Sequence, residues 1–573
     1  MVLDLSGRSH LKKEHAVLLN KIADEYRSQV TDLVDKISTS NSKSIDWWVT
    51  PLASRNPFAS DFSIRCYRLI FLKKLIEQHF IPSIILVDTP AMAAIVKQLV
   101  HMHNVKVRIV WPTYLKLLLY KPLKNILSSS FNLISQLAFS KLLNQKNSPL
   151  KNIILLDSFL YADSFSSGGF VDKHFPDFER FLYRNENESI RIFPTFYRVR
   201  NYINIFLDFR KCENRFILKE SFLEISDYVD ILKHTYRVLS INTNHIELVI
   251  DGVNVNLLIR DELLFGLFKP SSMESFLKYK AIKRMAINGI TLRRVIIWFE
   301  NQDIHKGLCA GLRKYFPKTE IVGYVGFFAS KNQLCVYPSD VERLSNVIPT
   351  KIAVMGPGFR KIISEFCSDL KFINASALRY NLKEIGIHSA TGVNDFRIVV
   401  ALPIIKTNST LIMSMLSEML KGCNLRKLFF GGITILIKPH GTSLDFVNYQ
   451  ESIMGDEYNI AIEVTNERFD SLLLNADLVL SGQSSACVES IAYGVPVVVI
   501  PDDNDLAFIP IPEGISRNLW RVAHDSHELY EGICYLLKNK NYAEKKLTAA
   551  KVRELYFNCN DRHLVRNLMV GSE

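Results

Sequence analysis

Short apolar runs alternate along the chain with longer stretches whose apolar residues recur every three or four positions. IILVD (84–88), VRIVW (107–111) and NIILLD (152–157) are rich in β-branched residues. Runs this short, apolar at successive positions, predict strands covered on both faces, as in a parallel sheet. RRVIIWFEN (293–301) and EIVGYVGFF (320–328) read the same way, with a helix from about Lys306 between them. Before these runs, Leu18, Leu19, Ile22, Val30, Leu33 and Val34 follow helical spacing. They predict one or two helices over 1–40, then a serine-rich linker from Ser38 to Ser44. Residues 200–290 are rich in aromatics, and ELVIDGVNVNLLIRDEL predicts a hairpin around Asp251-Gly252.

Around 336–358 the texture changes. KIAVMG (351–356) is expected to open a second unit, with further strands at FRIVVALP (396–403), GITILIKPH (432–440), LVLSG (478–482) and PVVVIPD (496–502). Strands alternating with helices predict a doubly wound parallel sheet. The expected organisation is α/β. Residues 1–44 form a helical extension and linker, and 45–345 a Rossmann-like unit with a basic amphipathic insertion near 101–150. Residues 346–540 form a second Rossmann-like unit, and 541–573 a helical tail.

Composition narrows the function. The 573 residues are 48% hydrophobic and 22% charged, enough for a sizeable core and unlike a disordered chain. A net charge of +12 favours an anionic partner: nucleic acid, a phosphate-bearing substrate or an anionic membrane. No nucleic-acid-binding signature accompanies the charge, so nucleic acid is set aside. Nine scattered cysteines without a CxxC give neither a disulfide framework nor structural zinc, which points to a reducing cytoplasm. The opening MVLDLSGRSHLKKEH has charges where a secretory signal needs an apolar run, and no apolar stretch of about 18 residues predicts a spanning helix. Residues 101–150 carry seven Lys or Arg and no Asp or Glu, with Lys116, Lys121, Lys124 and Lys141 set among Leu, Phe, Trp and Tyr. That mixture suits an interfacial helix on anionic lipid; a core-packed helical pair with solvated lysines is the alternative.

The most informative stretch is ILIKPHGTS followed by LVLSGQSSACVESIAYGVPVVVIPDD. Lys438, His440 and Gly441 follow a strand, where ligands gather in open α/β sheets. Ser481, Gly482, Gln483, Ser484 and Ser485 lead from the next strand into a helix. Such a start caps free N–H groups, and the same N–H groups hold phosphate. Glu489 falls about one turn further on, within reach of ribose hydroxyls. A plain cap and a solvated helix residue are the structural alternatives. This combination resembles the nucleotide-binding half of GT-B glycosyltransferases, and is similar to bacterial enzymes using CMP-activated ulosonic acids (sialic-acid-like sugars or Kdo). Teichoic-acid-type transferases with CDP-activated donors show similar patterns. In the ulosonic-acid families a His-Pro motif contacts the nucleotide and a Ser/Thr-rich helix start its phosphate; here Gly441 follows the histidine. The resemblance implies donor-binding roles for Lys438, His440, Gly441, Ser481, Gly482, Ser484, Ser485 and Glu489, with His440 also a catalytic candidate.

The first half offers three segments. Arg55 and Asn56, after WWVTPLAS, are candidates for a sugar carboxylate or phosphate, since Arg forms planar bidentate pairs; Trp47 and Trp48 read as core. DSFLYADSFSSGGFVDKHFPDF places Gly168, Gly169, Asp172, Lys173 and His174 on a loop after a strand, with Asp172 as base and His174 as acceptor ligand. VIIWFENQDIHKG delivers Glu300, Asn301 and Gln302 to a sheet edge, where Glu300 can act as general base or steady an oxocarbenium charge. Helix capping and solvated loops are the competing readings. WFENQ and WWxTxxxSRN together resemble bacterial surface-carbohydrate proteins of O-antigen and capsule loci.

The resemblance implies a GT-B fold, two Rossmann-like domains facing each other across a cleft. It also implies a glycosyltransferase using a CMP-linked donor and a lipid-linked glycan acceptor, peripheral on the inner face of the cell membrane. No cofactor or divalent metal is expected, and Asp503-x-Asp505 is read as a loop. A sugar-nucleotide epimerase, a CDP-polyol phosphotransferase and a non-catalytic membrane-surface scaffold are the alternatives.

Overall fold

The computed structural model describes residues 2–8, 11–142, 150–165, 170–197, 199, 202–212, 215–241, 243, 245–380, 382, 396–422, 432–440, 460–502, 506–538 and 541–571. Three strands, β1 (Val2–Asp4), β2 (Ile84–Val87) and β3 (Lys106–Ile109), form a small parallel sheet in that order. β4 (Ile153–Leu160) and β5 (Ile190–Phe196) begin a larger one. A hairpin of β6 (Val249–Ile250) and β7 (Val253–Asn254) intervenes, its turn carried by positive φ at Asp251 and Gly252. β8 (Leu292–Trp298), β9 (Glu320–Val325), β10 (Lys351–Val354) and β11 (Phe372–Asn374) complete a parallel sheet ordered β11-β10-β9-β8-β4-β5. β12 (Phe396–Ala401), β13 (Ile433–Lys438), β14 (Ile460–Val464), β15 (Leu478–Ser481), β16 (Val497–Val499) and β17 (Trp520–Val522) form a second, ordered β14-β13-β12-β15-β16-β17. This is the expected α/β architecture, built on parallel sheets.

The apolar runs are strands because both faces are covered. On β4 and β8, Leu155, Val295 and Ile297 pack with Ile282, Met285, Leu308 and Leu312 from the helices Pro270–Ile287 and Asp303–Tyr315. Ile154, Leu156, Ile296 and Trp298 face the other way, toward Phe175 and Phe178. β12 and β15 divide likewise: Ile398, Val400 and Leu480 meet the helices Lys406–Gly422 and Ser526–Lys538, while Val399 and Val479 turn to the opposite core. Strand order reverses between β4 and β8 in one sheet and between β12 and β15 in the other. At such points a crevice opens outside the carboxyl ends of the strands.

Three expectations are corrected. β10, expected to open the second unit, pairs with β9 and belongs to the first large sheet. Its apolar run reads as a strand, but pattern does not encode the partner. β2 and β3 sit in a separate sheet with β1, so the first half is not one Rossmann-like unit. The helix Lys13–Ser40 runs through the start of the supposed linker, and buried Ser38 accepts a hydrogen bond from Trp47 Nε1 at 3.0 Å. Trp47 and Trp48 are core residues. The final helices are Tyr542–Tyr556 and Arg562–Met569. They return to the first large sheet, where Arg293 and Arg294 donate to the carbonyls of Val570 and Asn567 at 3.1 and 3.0 Å.

Candidate functional site

β8 ends at Trp298, and two residues later Glu300 stands at the mouth of the β4–β8 crevice. Trp298 Nε1 donates to Glu300 Oε1 at 2.8 Å and Gln302 Nε2 to Oε2 at 2.6 Å. Both carboxylate oxygens are therefore fixed. Burial raises the carboxyl above its usual range, with Arg379 pulling the other way. Gln302, expected to touch sugar, orients this carboxylate.

Asn301 turns the chain inward with φ of 53°, a conformation Asn tolerates better than most residues. Its Oδ1 accepts from Lys306 Nζ at 2.6 Å and its Nδ2 donates to Glu342 at 3.2 Å. Glu342 also pairs with Lys306 and, at 2.8 Å, with Arg55. All four side chains are buried. Arg55 and Asn301, expected as anion and sugar ligands, are thus engaged inside the protein. Asn56 is buried too: its Nδ2 donates to Asp303 at 3.4 Å and its Oδ1 accepts the Phe58 N–H at 3.1 Å.

Asp172 is buried, and its Oδ1 accepts the backbone N–H groups of His174 (2.8 Å) and Phe175 (3.1 Å). This carboxylate shapes a turn, which corrects its expected role as a base open to substrate. The turn sets the His174 ring 4.3 Å from Trp298 and 5.8 Å from Tyr161, centroid to centroid. Burial lowers the imidazole to about 3, so it is neutral at physiological pH. Gly168 and Gly169 lie outside the described residues.

Across the cleft, Ser481 is fully buried and its Oγ donates to the Ala401 carbonyl at 2.8 Å, tying β15 to β12. Gly482 follows because nothing larger fits: a Cβ there would lie 2.0 Å from Asn408 Oδ1. Ser484 Oγ accepts the N–H of Ala486 at 3.3 Å. Ser485 precedes the helix Ala486–Tyr493, and its Oγ accepts the N–H of Phe328, after β9, at 3.3 Å. The serine turn therefore touches the first half directly. Glu489, on the first turn of that helix, is pushed up to about 8 by burial and then by Asp470, against Arg379 and Arg468. Lys438 ends β13 half-buried, and burial lowers its ammonium pKa. His440 follows, also half-buried. Gly441, Asp503 and Asp505 lie outside the described residues.

Arg379 is the residue the sequence reading missed. It lies between β11 and β12, in the segment joining the two sheets. Its exposed guanidinium sits 5.4 Å over the Trp298 ring and draws down the carboxyls of both Glu300 and Glu489. Its neighbour Tyr380 is buried near Ser485 and Glu489. Arg468, held by Asp470 through two contacts of 3.1 Å, also feels Asp177 from the other half. An arginine outside any strand or motif has no period to reveal it; the available signal was a basic-aromatic pair in the inter-sheet segment.

Beside these groups, at the β12–β15 reversal, a cavity of about 190 Å³ is lined by Ile405, Thr407, Gln483 and Asp502 from the second half and by Phe58 and Ser60 from the first. Among the described residues, no cluster of three His, Cys, Asp or Glu can hold a metal ion. The arrangement brings together one fixed carboxylate, the Arg379 and Arg468 guanidinium groups and a serine-lined turn.

No family model and no curated relative matches the chain. Among solved structures it is distantly similar to a co-structure of S. aureus MnaA and UDP (9% identity, 73% of this chain and 94% of that one, TM-score 0.40). A UDP-GlcNAc 2-epimerase from Neisseria meningitidis bound to UDP-GlcNAc gives 12% identity, 73% and 97% coverage and a TM-score of 0.39. MurG from Acinetobacter baumannii gives 9%, 74% and 99%, and 0.37. At this distance the likenesses carry no weight of their own: the α/β architecture and the cleft rest on the topology and side-chain geometry of this chain.

Proposed function

We propose that the protein is a glycosyltransferase that binds a nucleotide-activated sugar in the second half and transfers the sugar to an acceptor hydroxyl approaching from the first. The observation that carries this reading is the meeting of the two strand-end crevices around Arg379, with Glu300 on one side and Ser485 and Glu489 on the other. Glu300 is the general base. A raised carboxyl accepts a hydroxyl proton more readily than an ordinary one, and such groups contribute about a hundredfold to ten-thousandfold. Lys438, His440 and the amides of the serine turn face the phosphate, where fixed positive charge offsets what develops on the leaving group. Arg379 and Arg468 suit a sugar that is itself anionic, because guanidinium groups pair with carboxylates in bidentate fashion. That chemistry favours a CMP-activated ulosonic acid as donor, with a lipid-linked bacterial surface glycan as acceptor.

The test is thermal unfolding with CMP, CDP, UDP and GDP, followed by nucleotide release with and without acceptor. A ligand at 100 times its dissociation constant adds about 2.7 kcal/mol of stability. CMP should stabilise most, and a CMP-sugar should release nucleotide only when acceptor is present. Equal shifts with all four nucleotides would remove the preference for a CMP donor. Conversion of a sugar nucleotide without acceptor would make the protein an epimerase. No shift with any nucleotide would sink the enzymatic reading.

A further inference from the structure

The helices Trp111–Leu115 and Lys121–Leu142 are continuous through a π turn at Lys116–Tyr120, and their polarity is inverted. Trp111, Leu115, Leu119, Leu123, Leu127, Phe131 and Ile134 form one outward stripe; Leu119, Leu127 and Ile134 are 61%, 64% and 66% exposed. The inward stripe is polar. Ser129 Oγ donates to the Phe268 carbonyl at 3.4 Å, Asn132 Oδ1 accepts from Tyr202 at 3.2 Å, and Gln136 Oε1 accepts from buried Lys219 at 2.8 Å. A spacing of four drifts about 40° per step in an α-helix, and a wider π turn takes part of that drift back, keeping the stripe on one side.

A second helix shows a similar outward apolar stripe, while its inner face mixes Asp227 and His234 with buried Ile231 and Val238. Ile225–Leu239 exposes Ile225, Val229, Leu232, Tyr236 and Leu239. It turns Asp227 toward Arg284 (2.9 Å) and His234 toward Asp46 (2.7 Å). The two helices share one small core through Leu133, Tyr228 and Ile231. A globular helix normally buries its apolar residues, so two neighbouring helices with exposed apolar stripes mark a surface suited to being covered.

We propose that the outer faces of 111–138 and Ile225–Leu239 lie together in the interfacial layer of a bilayer containing anionic lipid. Charge selects this occupant. Residues 101–142 contain no Asp or Glu, and Lys116 and Lys124 stand exposed beside the stripe. Pairing this face with a second copy would set those lysines against their counterparts, whereas acidic headgroups match them. The surface lies in the interface and does not cross: among the described residues, no helix is long and apolar enough to span a membrane. The inference stands apart from the transferase reading, because vesicle binding is measured without any reaction.

The test is flotation of the full chain with vesicles of phosphatidylcholine alone or mixed with phosphatidylglycerol. Binding to the mixed vesicles, weak on the neutral ones, is expected. Leu119→Ser, Leu123→Ser, Leu127→Ser and Phe131→Ser combined should weaken it by about a hundredfold or more. Lys116→Ala and Lys124→Ala should each cost about fivefold, and Leu232→Ser with Tyr236→Ser should weaken binding as well. All these side chains face solvent, so an unchanged thermal midpoint will certify that each variant folds. Absence of vesicle binding by the parent chain, equal binding to both vesicle types, or undiminished binding by the four-residue variant would overturn the proposal. So would a dimer in sedimentation that the same four substitutions dissolve, which would make a second copy the occupant.

Discussion

The two large sheets have the same parallel construction but opposite interiors. The half built on β4–β11 buries Arg55, Asp157, Lys278, Asp303, Lys306 and Glu342. Among the described residues 396–538, the buried polar side chains are Asn408, Ser409, Ser481, Ser490 and Asn518, none of them charged. Buried ion pairs gain little net stability, since desolvation offsets their attraction, but they tolerate the loss of a partner badly. They make the first half a frame braced by buried ion pairs, and that frame presents Glu300. The second half spends its small residues at the strand ends, where a phosphate can approach backbone. On the proposed function, one lobe holds a reacting group still and the other admits a ligand.

Glu342→Ala breaks the first lobe most severely. It leaves Arg55 and Lys306 buried without their shared carboxylate, and removal of one buried partner costs about 3–5 kcal/mol. Urea unfolding should show the loss. The neighbouring cations hold the Glu342 carboxyl below its usual 4.5, so its contribution is present above that pH and fades as pH falls through the lower folded value. The variant should lack that part of the acid dependence. A stability unchanged within error would mean that the buried network is not what braces this half.

Glu300→Gln separates frame from chemistry. Burial disfavours the ionised carboxyl, so the amide should leave the thermal midpoint unchanged or slightly higher. Turnover should fall about a hundredfold to ten-thousandfold if the carboxylate removes the acceptor proton. Nucleotide affinity, a property of the other lobe, should not move. Gly482→Ala asks the converse question. Its Cβ would collide with Asn408 Oδ1, at a cost of about 1–3 kcal/mol of overpacking, and nucleotide affinity should fall at least tenfold. Full affinity in that variant would take the serine turn out of the donor site.

Much of this contrast was legible in the sequence. Strands buried on both faces leave continuous β-branched runs, so the strands from β8 to β16 that line the cleft are mostly visible as text. The serine-glycine turn after β15 announces itself because a cap needs small hydroxyls and a tight approach needs glycine. What stayed hidden was partnership. The run of β10 looks the same whichever sheet takes it, and β1, with three residues, is too short for a period. Arg55 and Asn301 are polar residues on loops in the text and internal ion partners in space. Only a long-range contact with Glu342 separates those cases. Arg379 was missed for the opposite reason, since an exposed arginine in a connecting segment acquires meaning only when the two crevices close around it.

The finest test of the comparison lies at Glu489, an ionisable group of the second lobe on the first turn after the serines. Its folded value of about 8 stands above the usual 4.5, so the folded protein keeps a proton that the unfolded chain releases between those values. Stability from this group therefore declines as pH rises from 4.5 to 8 and levels off above. Glu489→Gln removes the decline: the two proteins should melt alike in acid, and the variant should melt higher above pH 8. Donor binding supplies the sharper reading. A neutral Glu489 does not repel a phosphate, whereas the ionised form does, so wild-type nucleotide affinity should drop modestly as pH passes 8 while the Gln variant stays flat. If Glu489 instead accepts hydrogen bonds from ribose hydroxyls as a carboxylate, wild-type affinity should rise as pH passes 8, and the Gln variant should lose most affinity above that pH. Titration calorimetry across that range distinguishes a lobe that tunes charge at the phosphate from one that grips the sugar ring of the nucleotide.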